Sequence, residues 1–174
     1  MVSGVRVLDT ADDLADQVAR LINDVYVTAE SGLWREGTTR TTPSEIAGFI
    51  AAGEIAVATR DGEVAAAVRI HDVAGDATEF GLLATAPCQR GTGLGRALLD
   101  FAEESARTRG RRAMQLELLV PRGWTHPSKE FLKGWYGRRG YRRIRISRIA
   151  DAYPHLTLLL ATECDLEVHE KPLQ

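Results

Sequence analysis

The residues best suited to chemistry form a glycine-rich segment near the middle of the chain. Residues 87–99 read Pro-Cys-Gln-Arg-Gly-Thr-Gly-Leu-Gly-Arg-Ala-Leu-Leu, and the apolar run Phe80–Thr85 precedes them. This pattern predicts a strand, a turn built on Gly91, Gly93 and Gly95, and the start of a helix. The first N–H groups of a helix lack internal acceptors and carry partial positive charge, so such a turn can bind a phosphate or pyrophosphate.

Two common phosphate-binding patterns do not fit this turn. A Rossmann fingerprint needs glycine at position 96, which is Arg96, and a Walker A pattern needs a following Gly-Lys-Ser or Gly-Lys-Thr. The pattern that fits is Arg-x-x-Gly-x-Gly, at Arg90, Gly93 and Gly95. It resembles the signature loop of the GNAT superfamily of N-acetyltransferases, which binds the pyrophosphate of acetyl-coenzyme A. A glycine-rich turn without a ligand is the alternative interpretation.

The resemblance implies a set of coenzyme contacts. In the family, the strands equivalent to 80–85 and 115–120 splay apart, and the pantetheine arm of acetyl-coenzyme A lies along the first of them. The implied pantetheine contacts are Leu83, Ala84 and Thr85. The implied pyrophosphate contacts are Gln89, Arg90, Gly91, Thr92, Gly93, Leu94, Gly95 and Arg96. Acetyl-coenzyme A is then a co-substrate, and no metal is expected.

The second landmark of the resemblance is an aromatic motif. Residues 131–141 read Phe-Leu-Lys-Gly-Trp-Tyr-Gly-Arg-Arg-Gly-Tyr and place Tyr136 where many members carry a tyrosine near the coenzyme sulfur. When an amine attacks the thioester, the departing sulfur becomes a thiolate whose conjugate acid has a pKa of roughly 8.5. A neutral tyrosine can supply the proton, so we expect Tyr136 to be the general acid. The alternative is that Tyr136 packs in the core with its hydroxyl hydrogen-bonded.

A base is also required, because an alkylamine is mostly protonated at neutral pH. Glu79 starts the strand that leads into the loop, where many relatives carry a glutamate near the acceptor, and we expect it to be the base. A solvated residue at the start of a strand is the alternative. Glu117 is a second candidate, although strand alternation with apolar neighbours favours its exposure to solvent. His126 is a third, but Pro127 after it indicates the first turn of a helix.

The polar, unpatterned segment 27–41 falls where the superfamily builds its acceptor site. It contains Trp34, and Trp124 lies in another unpatterned segment, so both are candidates for an acceptor pocket. The resemblance implies a small-molecule or peptide amine as acceptor, which the sequence does not identify. Ser128 and Lys129 occupy a region where relatives often contact the coenzyme, but the usual asparagine is absent.

The elements that must position these residues follow from hydrophobic periodicity. Alternation predicts strands at 5–8, 55–60, 64–70, 77–85, 115–120, 142–149 and 164–171. Helical spacing and capping signals predict helices from Asp9 or Thr10 to about residue 25, from Thr42 to about residue 52, from Leu94 to Arg109, and from Pro127 to Tyr136, with a short helix within 153–161. The third of these helices should turn Ala97 inward and Glu103 outward. The order predicts an α/β fold of the α+β type, with a mixed, mostly antiparallel central sheet flanked by helices, and the GNAT resemblance adds splayed central strands.

Composition is ordinary for a soluble protein. The chain has 174 residues, 44% hydrophobic and 26% charged, with a formal net charge of −2, which predicts a single domain over residues 1–174. Without a basic excess, an N-terminal signal or a membrane-spanning run, we expect no nucleic-acid or membrane partner and a cytoplasmic protein, monomeric or homodimeric. Cys88 and Cys164 fit no zinc or redox spacing. Six arginines between 138 and 148 are interpreted as a solvated surface or, alternatively, as a site for an anionic group.

These observations predict an N-acetyltransferase that moves the acetyl group of acetyl-coenzyme A to a primary amine by direct attack in a ternary complex. A binding module of the same fold, which senses acyl-coenzyme A without turnover, is the first alternative. An unrelated phosphate-binding α/β protein is the second.

Overall fold

The structure is a computed structural model that describes residues 4–174, and residues 1–3, part of the segment in which we expected no signal sequence, lie outside it. Its strands are β1 (Arg6–Val7), β2 (Ile55–Arg60), β3 (Glu63–Val73), β4 (Ala77–Thr85), β5 (Ala113–Pro121), β6 (Arg142–Arg148) and β7 (Cys164–Pro172). Its α-helices are α1 (Ala15–Ala29), α2 (Pro43–Ala51), α3 (Leu94–Thr108), α4 (Pro127–Arg138) and α5 (Ile149–Ala152), and a 3-10 helix spans Pro154–Leu159. The strands form one sheet in the order β1-β2-β3-β4-β5-β7-β6, and only β4 and β5 are parallel neighbours. The predicted mixed, mostly antiparallel sheet is confirmed.

The sheet carries helices on both faces, and β2 shows why. Ile55 and Val57 pack into a cluster with α1 and α2, whereas Ala56 and Ala58 pack into a cluster with α3. Successive side chains of a strand point to opposite faces, so an unbroken apolar run is buried on both sides. On β4, Phe80 packs in the cluster with α3 and Ala84 in the cluster with α1 and α2, so the strand that leads into the glycine-rich loop also lies between two helical layers.

Local turn and capping signals correctly predicted several boundaries. Asp61 and Gly62 have φ of 52° and 86° and make the two-residue turn between β2 and β3. At the start of α2, the Thr42 hydroxyl accepts the N–H of Glu45 at 3.1 Å. Gly110, with φ of 74°, follows the C-cap of α3.

The predicted start of α1 was wrong. The helix begins at Ala15, and Leu14 at the N-cap provides no side-chain hydrogen bond. Asp9, one of the two predicted caps, instead donates its N–H to the Asp12 carboxylate at 2.7 Å. Asp and Asn residues stabilise turns by the same kind of bond that caps helices, so the sequence signal did not distinguish the two outcomes.

The predicted inner face of α3 was also wrong in part. Ala97 is exposed, and Glu103 is buried rather than on the outer face. The Glu103 carboxylate accepts the Tyr141 hydroxyl at 3.0 Å and the Lys171 ammonium at 2.7 Å, besides lying 3.5 Å from Arg107. A buried carboxylate is tolerated because these partners balance its charge, and they come from distant parts of the chain.

The central strands diverge, as the resemblance implied. β4 and β5 pair only from Ala77 opposite Ala113 to Glu79 opposite Gln115. Between Gly81 and Ala84, β4 places two residues opposite one residue of β3. Leu82 in this bulge has φ of 51°, a conformation that leucine rarely adopts. Beyond Glu79, β4 therefore bends away from β5 and leaves a gap that opens toward the glycine-rich loop.

Candidate active site

The loop between β4 and α3 lies at the wide end of this gap. Pro87–Gln89 form one 3-10 turn, Gly91 has φ of 78°, and Gly93 has φ of 89° at the N-cap of α3. A Cβ atom built on either glycine would meet no heavy atom of the described residues within 4 Å. The loop is therefore open on the side where a ligand would approach, and both glycines adopt a backbone conformation that favours glycine.

Gln89 and Thr92, two of the predicted contact residues, make hydrogen bonds within or next to the loop. The N–H of Gln89 donates to the carbonyl of Ala86 at 2.8 Å, and the side-chain oxygen of Gln89 accepts a hydrogen bond from Arg60 at 2.7 Å. The Thr92 hydroxyl donates to the Gln89 carbonyl at 2.6 Å. The side chains of Gln89 and Thr92 therefore hold the shape of the loop.

Five other backbone donors are free. Within residues 4–174 no hydrogen-bond acceptor is found for the N–H groups of Gly91, Gly93, Leu94, Gly95 and Arg96. Their donors converge with the positive end of the α3 dipole, and the exposed side chains of Arg90 and Arg96 flank them. This arrangement suits a pyrophosphate, whose oxygens can accept several N–H groups at once.

The end of β4 offers a free strand edge beside the loop. Ala84 and Thr85 pair with β3 on one side, whereas pairing with β5 on the other side has already ended at Glu79. Leu83 lies in the bulge between them. Extended ligand arms can pair with such an edge as an additional strand would, so Leu83–Thr85 fit the implied pantetheine contacts.

Tyr136 enters the gap from the α3 and α4 face of the sheet. Its ring packs 5.7 Å from the ring of Phe80 and 5.0 Å from that of Trp135, and only 5% of the residue is exposed. Burial raises the pKa of its hydroxyl well above the usual value, and the charge of Tyr26 on α1 adds to the rise. The hydrogen bonds of the described residues include none to this hydroxyl. Tyr136 is thus neutral, and its hydroxyl is electrostatically coupled to a residue of the opposite layer.

Glu79 lies on the other face of the sheet, because it precedes Phe80 on β4. Its side chain is only 17% exposed. Burial raises the pKa of its carboxyl to about 7, the charge of Glu117 adds to the rise, and Arg69 and Arg145 oppose it. A carboxyl with a pKa near 7 is well matched to accept a proton at neutral pH.

Glu117 is not the solvent-exposed residue that strand alternation favoured. It is half-buried, and its carboxylate accepts the Tyr153 hydroxyl at 2.6 Å. His71 completes the surroundings of Glu79, with its Nε2 atom 3.8 Å from the Glu79 carboxylate. Burial and the charge of Arg69 lower the pKa of His71, so it is neutral near pH 7.

The segment predicted to hold the acceptor lines a cavity of about 330 Å³ on the Glu79 side of the sheet. Trp34 is part of the cavity wall. The wall also contains residues that the sequence analysis did not single out, namely Tyr26, Arg40, Leu156 and Leu159. Tyr26 could have been found, because it continues the buried face of α1 four residues after Ile22. The leucines are brought there only by the tertiary fold.

Lys129, which the sequence analysis placed in a region where relatives often contact the coenzyme, forms a buried ion pair. Its ammonium donates to Glu30 at 2.7 Å, and both side chains are at most 4% exposed. The Glu30 carboxylate also accepts the indole N–H of Trp34 at 2.6 Å. Burial acts to raise the pKa of Glu30, but the charges of Lys129 and Arg40 and the hydrogen bonds from Lys129 and Trp34 together lower it. The pair supports the floor of the cavity.

Other residues considered from the sequence lie away from the gap. Trp124 lies against His126, with ring centroids 5.3 Å apart, and is not among the residues that line the cavity beside Trp34. His126 is the N-cap of α4, and its Nε2 atom hydrogen-bonds the Ser31 carbonyl, in keeping with the predicted position at the start of a helix. Arg139 pairs with Asp100, so part of the arginine-rich segment is used within the fold.

Comparison with known proteins identifies this architecture. Residues 51–143 match the family model described as an acetyltransferase (GNAT) domain. The chain belongs to the GNAT family of acetyltransferases. No curated protein sequence is similar enough to this GNAT chain to count as a match.

Solved structures share the GNAT fold at low sequence identity. The ribosomal-protein-S18-alanine N-acetyltransferase from Escherichia coli has a TM-score of 0.68 and 20% identity, covering 100% of this chain and 95% of that chain. An aminoglycoside 6′-N-acetyltransferase complexed with coenzyme A has a TM-score of 0.74 and 15% identity, with 99% and 98% covered. N-acetylglutamate synthase from Neisseria gonorrhoeae, complexed with coenzyme A and N-acetyl-glutamate, has a TM-score of 0.65 and 19% identity, with 100% and 35% covered.

Family membership implies an amine acceptor, and some of these structural neighbours bind coenzyme A. Among residues 4–174, no group of three or more histidine, cysteine or acidic side chains is arranged to hold a metal ion. No helix in the described part of this GNAT protein combines the length and apolar character needed to cross a bilayer.

Proposed function

We propose that this GNAT protein is an acetyl-coenzyme A-dependent N-acetyltransferase that acts on a primary amine by direct attack in a ternary complex. The observation that carries the proposal is the placement of two titratable groups around one gap. Glu79 lies at the last β4–β5 pair on one face of the sheet, Tyr136 packs against Phe80 on the other face, and the loop with the free amides follows the end of β4. The gap thus joins an anion site, a base and an acid.

The donor would bind along the wide end of the gap. The free N–H groups at Gly91 and Gly93–Arg96 would donate hydrogen bonds to the pyrophosphate oxygens, and the open edge of Leu83–Thr85 would pair with the pantetheine arm. The fit is supported by the open space above Gly91 and Gly93, where an added Cβ meets nothing. The thioester would then lie in the gap.

Glu79 would prepare the nucleophile. An ammonium ion cannot attack a carbonyl carbon, so the amine must first lose a proton to a base. The pKa of Glu79, about 7, leaves much of the carboxyl ionised at neutral pH while it remains basic enough to accept that proton, directly or through water. The neutral amine then forms a bond to the thioester carbon.

Tyr136 would complete the transfer. The tetrahedral intermediate breaks its carbon–sulfur bond, the acetyl group stays on nitrogen as an amide, and the electron pair leaves on sulfur. The thiolate takes the Tyr136 proton, the second proton of the attacking nitrogen returns to the tyrosinate, directly or through water, and Glu79 releases the first proton to solvent. Because burial raises the pKa of Tyr136, the hydroxyl is fully protonated before the reaction.

The test is release of free coenzyme A thiol in the presence of a broad amine panel, with the acetylated product identified by mass. The panel contains free amino acids, polyamines, aminoglycosides and peptides with free N-termini. Turnover of at least one amine, lost in Glu79→Gln, is the expected result. Tight binding of acetyl-coenzyme A with no thiol release on any amine would contradict the proposal and favour an acyl-coenzyme A sensor.

A further inference from the structure

Arg40 is fixed at the wall of the acceptor cavity. The carbon of its guanidinium lies 5.4 Å from the ring centroid of Tyr26 and 5.8 Å from that of Trp34. The backbone N–H groups of Arg40 and Thr41 donate to the side-chain oxygen of Asn23 on α1, at 2.9 and 3.0 Å. A cation held between two aromatic faces, on an anchored backbone, is already ordered before a ligand arrives.

The guanidinium of Arg40 retains its hydrogen-bonding capacity. Its nearest acidic partner is Glu30, with Nε and Oε2 3.6 Å apart, too far for a hydrogen bond. Across the described range, the hydrogen bonds include none from this guanidinium to a protein acceptor. Glu30 is itself neutralised by Lys129 and hydrogen-bonded by Trp34. Arg40 therefore presents a planar set of donors and a positive charge to the cavity.

Tyr153 connects this cavity with the acidic residues of the sheet. It packs in one cluster with Trp34 and Leu156, which line the cavity. Its hydroxyl donates to the Glu117 carboxylate at 2.6 Å. Burial, this hydrogen bond and the charges of Glu117 and Glu79 raise the pKa of Tyr153, and the charge of Arg40 lowers it, so all three charged groups act on one hydroxyl. A ligand with its anionic group at Arg40 would therefore direct its amine past Tyr153 toward Glu79.

We propose that Arg40 binds the carboxylate of the acceptor, so that the substrate of this enzyme is an amino carboxylic acid. A guanidinium binds a carboxylate through two parallel N–H···O bonds. A carboxylate ligand would therefore use the paired N–H donors of Arg40 that make no hydrogen bond within the described residues. The apolar walls formed by Trp34, Leu156 and Leu159 suit an acid with an apolar side chain. Glu30 and Glu36 also line the cavity, and their negative charges disfavour a phosphate dianion more than a carboxylate monoanion.

This inference rests on the proposed acetyltransferase activity, and its test compares matched acceptors. Each apolar amino acid, such as phenylalanine, leucine or methionine, is assayed with its carboxamide and with the corresponding decarboxylated amine. The amine of the carboxamide is less basic than that of the acid, so a larger fraction of it is unprotonated at neutral pH. A preference for the acid therefore cannot be caused by a larger supply of neutral amine. We expect kcat/KM to be at least about tenfold higher for an acid than for its carboxamide.

Variants then assign the preference to one residue. Arg40→Gln should raise KM for the acid about 10- to 100-fold more than for the carboxamide, and the affinity for acetyl-coenzyme A should not change. Arg40→Lys, which keeps the charge without the planar fork, should restore only part of the loss. Arg20→Gln, on the exposed side of α1, removes the same charge away from the cavity and is the control.

The outcomes separate the two proposals. Equal turnover of acids and carboxamides, or an equal loss for both in Arg40→Gln, overturns the carboxylate site and leaves the acetyltransferase activity intact. Preference for aminoalkyl phosphates shows that the anion was wrongly assigned. Calorimetric titration in the presence of coenzyme A adds a readout without turnover, and failure of every acid to bind there overturns the inference. Absence of thiol release with all amines, carboxamides included, overturns the proposed function itself.

Discussion

Replacing Glu79 with glutamine should stabilise the folded protein at neutral and alkaline pH while it removes the proposed base. The carboxyl is only 17% exposed, and its pKa rises from 4.5 to about 7 in the fold because of burial and the charge of Glu117. Ionised Glu79 is therefore a destabilising group. Glutamine keeps the shape of the side chain but never ionises.

The magnitude follows from proton linkage. At pH values between the unfolded-state and folded-state pKa of Glu79, the unfolded chain has released a proton that the folded protein still holds, so the unfolding free energy falls as the pH rises. A shift from 4.5 to about 7, at 1.36 kcal/mol per unit, gives an upper value of about 3 kcal/mol. The advantage of Glu79→Gln over wild type should thus grow from near zero at about pH 4.5 to about 3 kcal/mol above about pH 7.

Denaturant unfolding, followed by circular dichroism at about pH 5 and about pH 8, measures this difference. Glu63→Gln, an exposed position at the start of β3, is the matched control and should change the unfolding free energy by no more than about 0.5 kcal/mol at either pH. A Glu79→Gln effect that does not vary with pH would refute the reasoning. So would a variant less stable than wild type at the higher pH.

Three further substitutions test separate parts of the site. Glu117→Gln removes the charge that helps raise the pKa of Glu79, so the acidic limb of the kcat/KM profile should move to lower pH; an unmoved limb contradicts the coupling. Tyr136→Phe should lower kcat by roughly 10²-fold, measured by steady-state kinetics, without weakening the binding of acetyl-coenzyme A. Full activity of this variant would show that Tyr136 is not the general acid. Lys129→Met removes the ion-pair partner of the buried Glu30 carboxylate and should lower the free energy of unfolding, measured in urea, by about 3–5 kcal/mol. A decrease of less than about 1 kcal/mol would contradict a buried ion pair.

Features set by local residue chemistry could be predicted from the sequence. The turn at Asp61 and Gly62 and the bounds of β4 at Ala77–Thr85 agree with the structure, because positive φ and strand alternation are encoded over a few residues. The conformation of Gly91 and Gly93 follows in the same way. Their meaning for function came from the family pattern, since the spacing alone also fits an unliganded turn.

Features set by packing between distant segments could not be predicted. Leu82 adopts φ of 51° although no glycine marks the bulge, because the pairing of β4 with its neighbours imposes it. Helical periodicity places Glu103 on the outer face of an amphipathic helix. In the fold its carboxylate is buried, because Tyr141 and Lys171 hydrogen-bond to it. Sequence periodicity reports the average environment of a helix face and not the partner that makes one carboxylate an exception.

The acceptor side of the site shows the same limit. The sequence located segment 27–41 through the family arrangement, and Trp34 within it, but not the Lys129–Glu30 pair or the hydrogen bond from Tyr153 to the second carboxylate. These contacts join residues far apart in the chain. The sequence analysis considered Glu117 and Lys129, but it gave no sign of the partners that they have in the fold.

The central claim is that the free amides of the glycine-rich loop hold the pyrophosphate of acetyl-coenzyme A, and calorimetric titration of Gly93→Asp tests it most directly. Gly93 and Gly110 both have positive φ, 89° and 74°, and both face open space, so Gly110→Asp introduces the same backbone strain and charge at the far end of α3. We expect Gly93→Asp to lose at least about tenfold in affinity, while Gly110→Asp binds as wild type does. Unchanged affinity in Gly93→Asp, or equal losses in both variants, would contradict the claim.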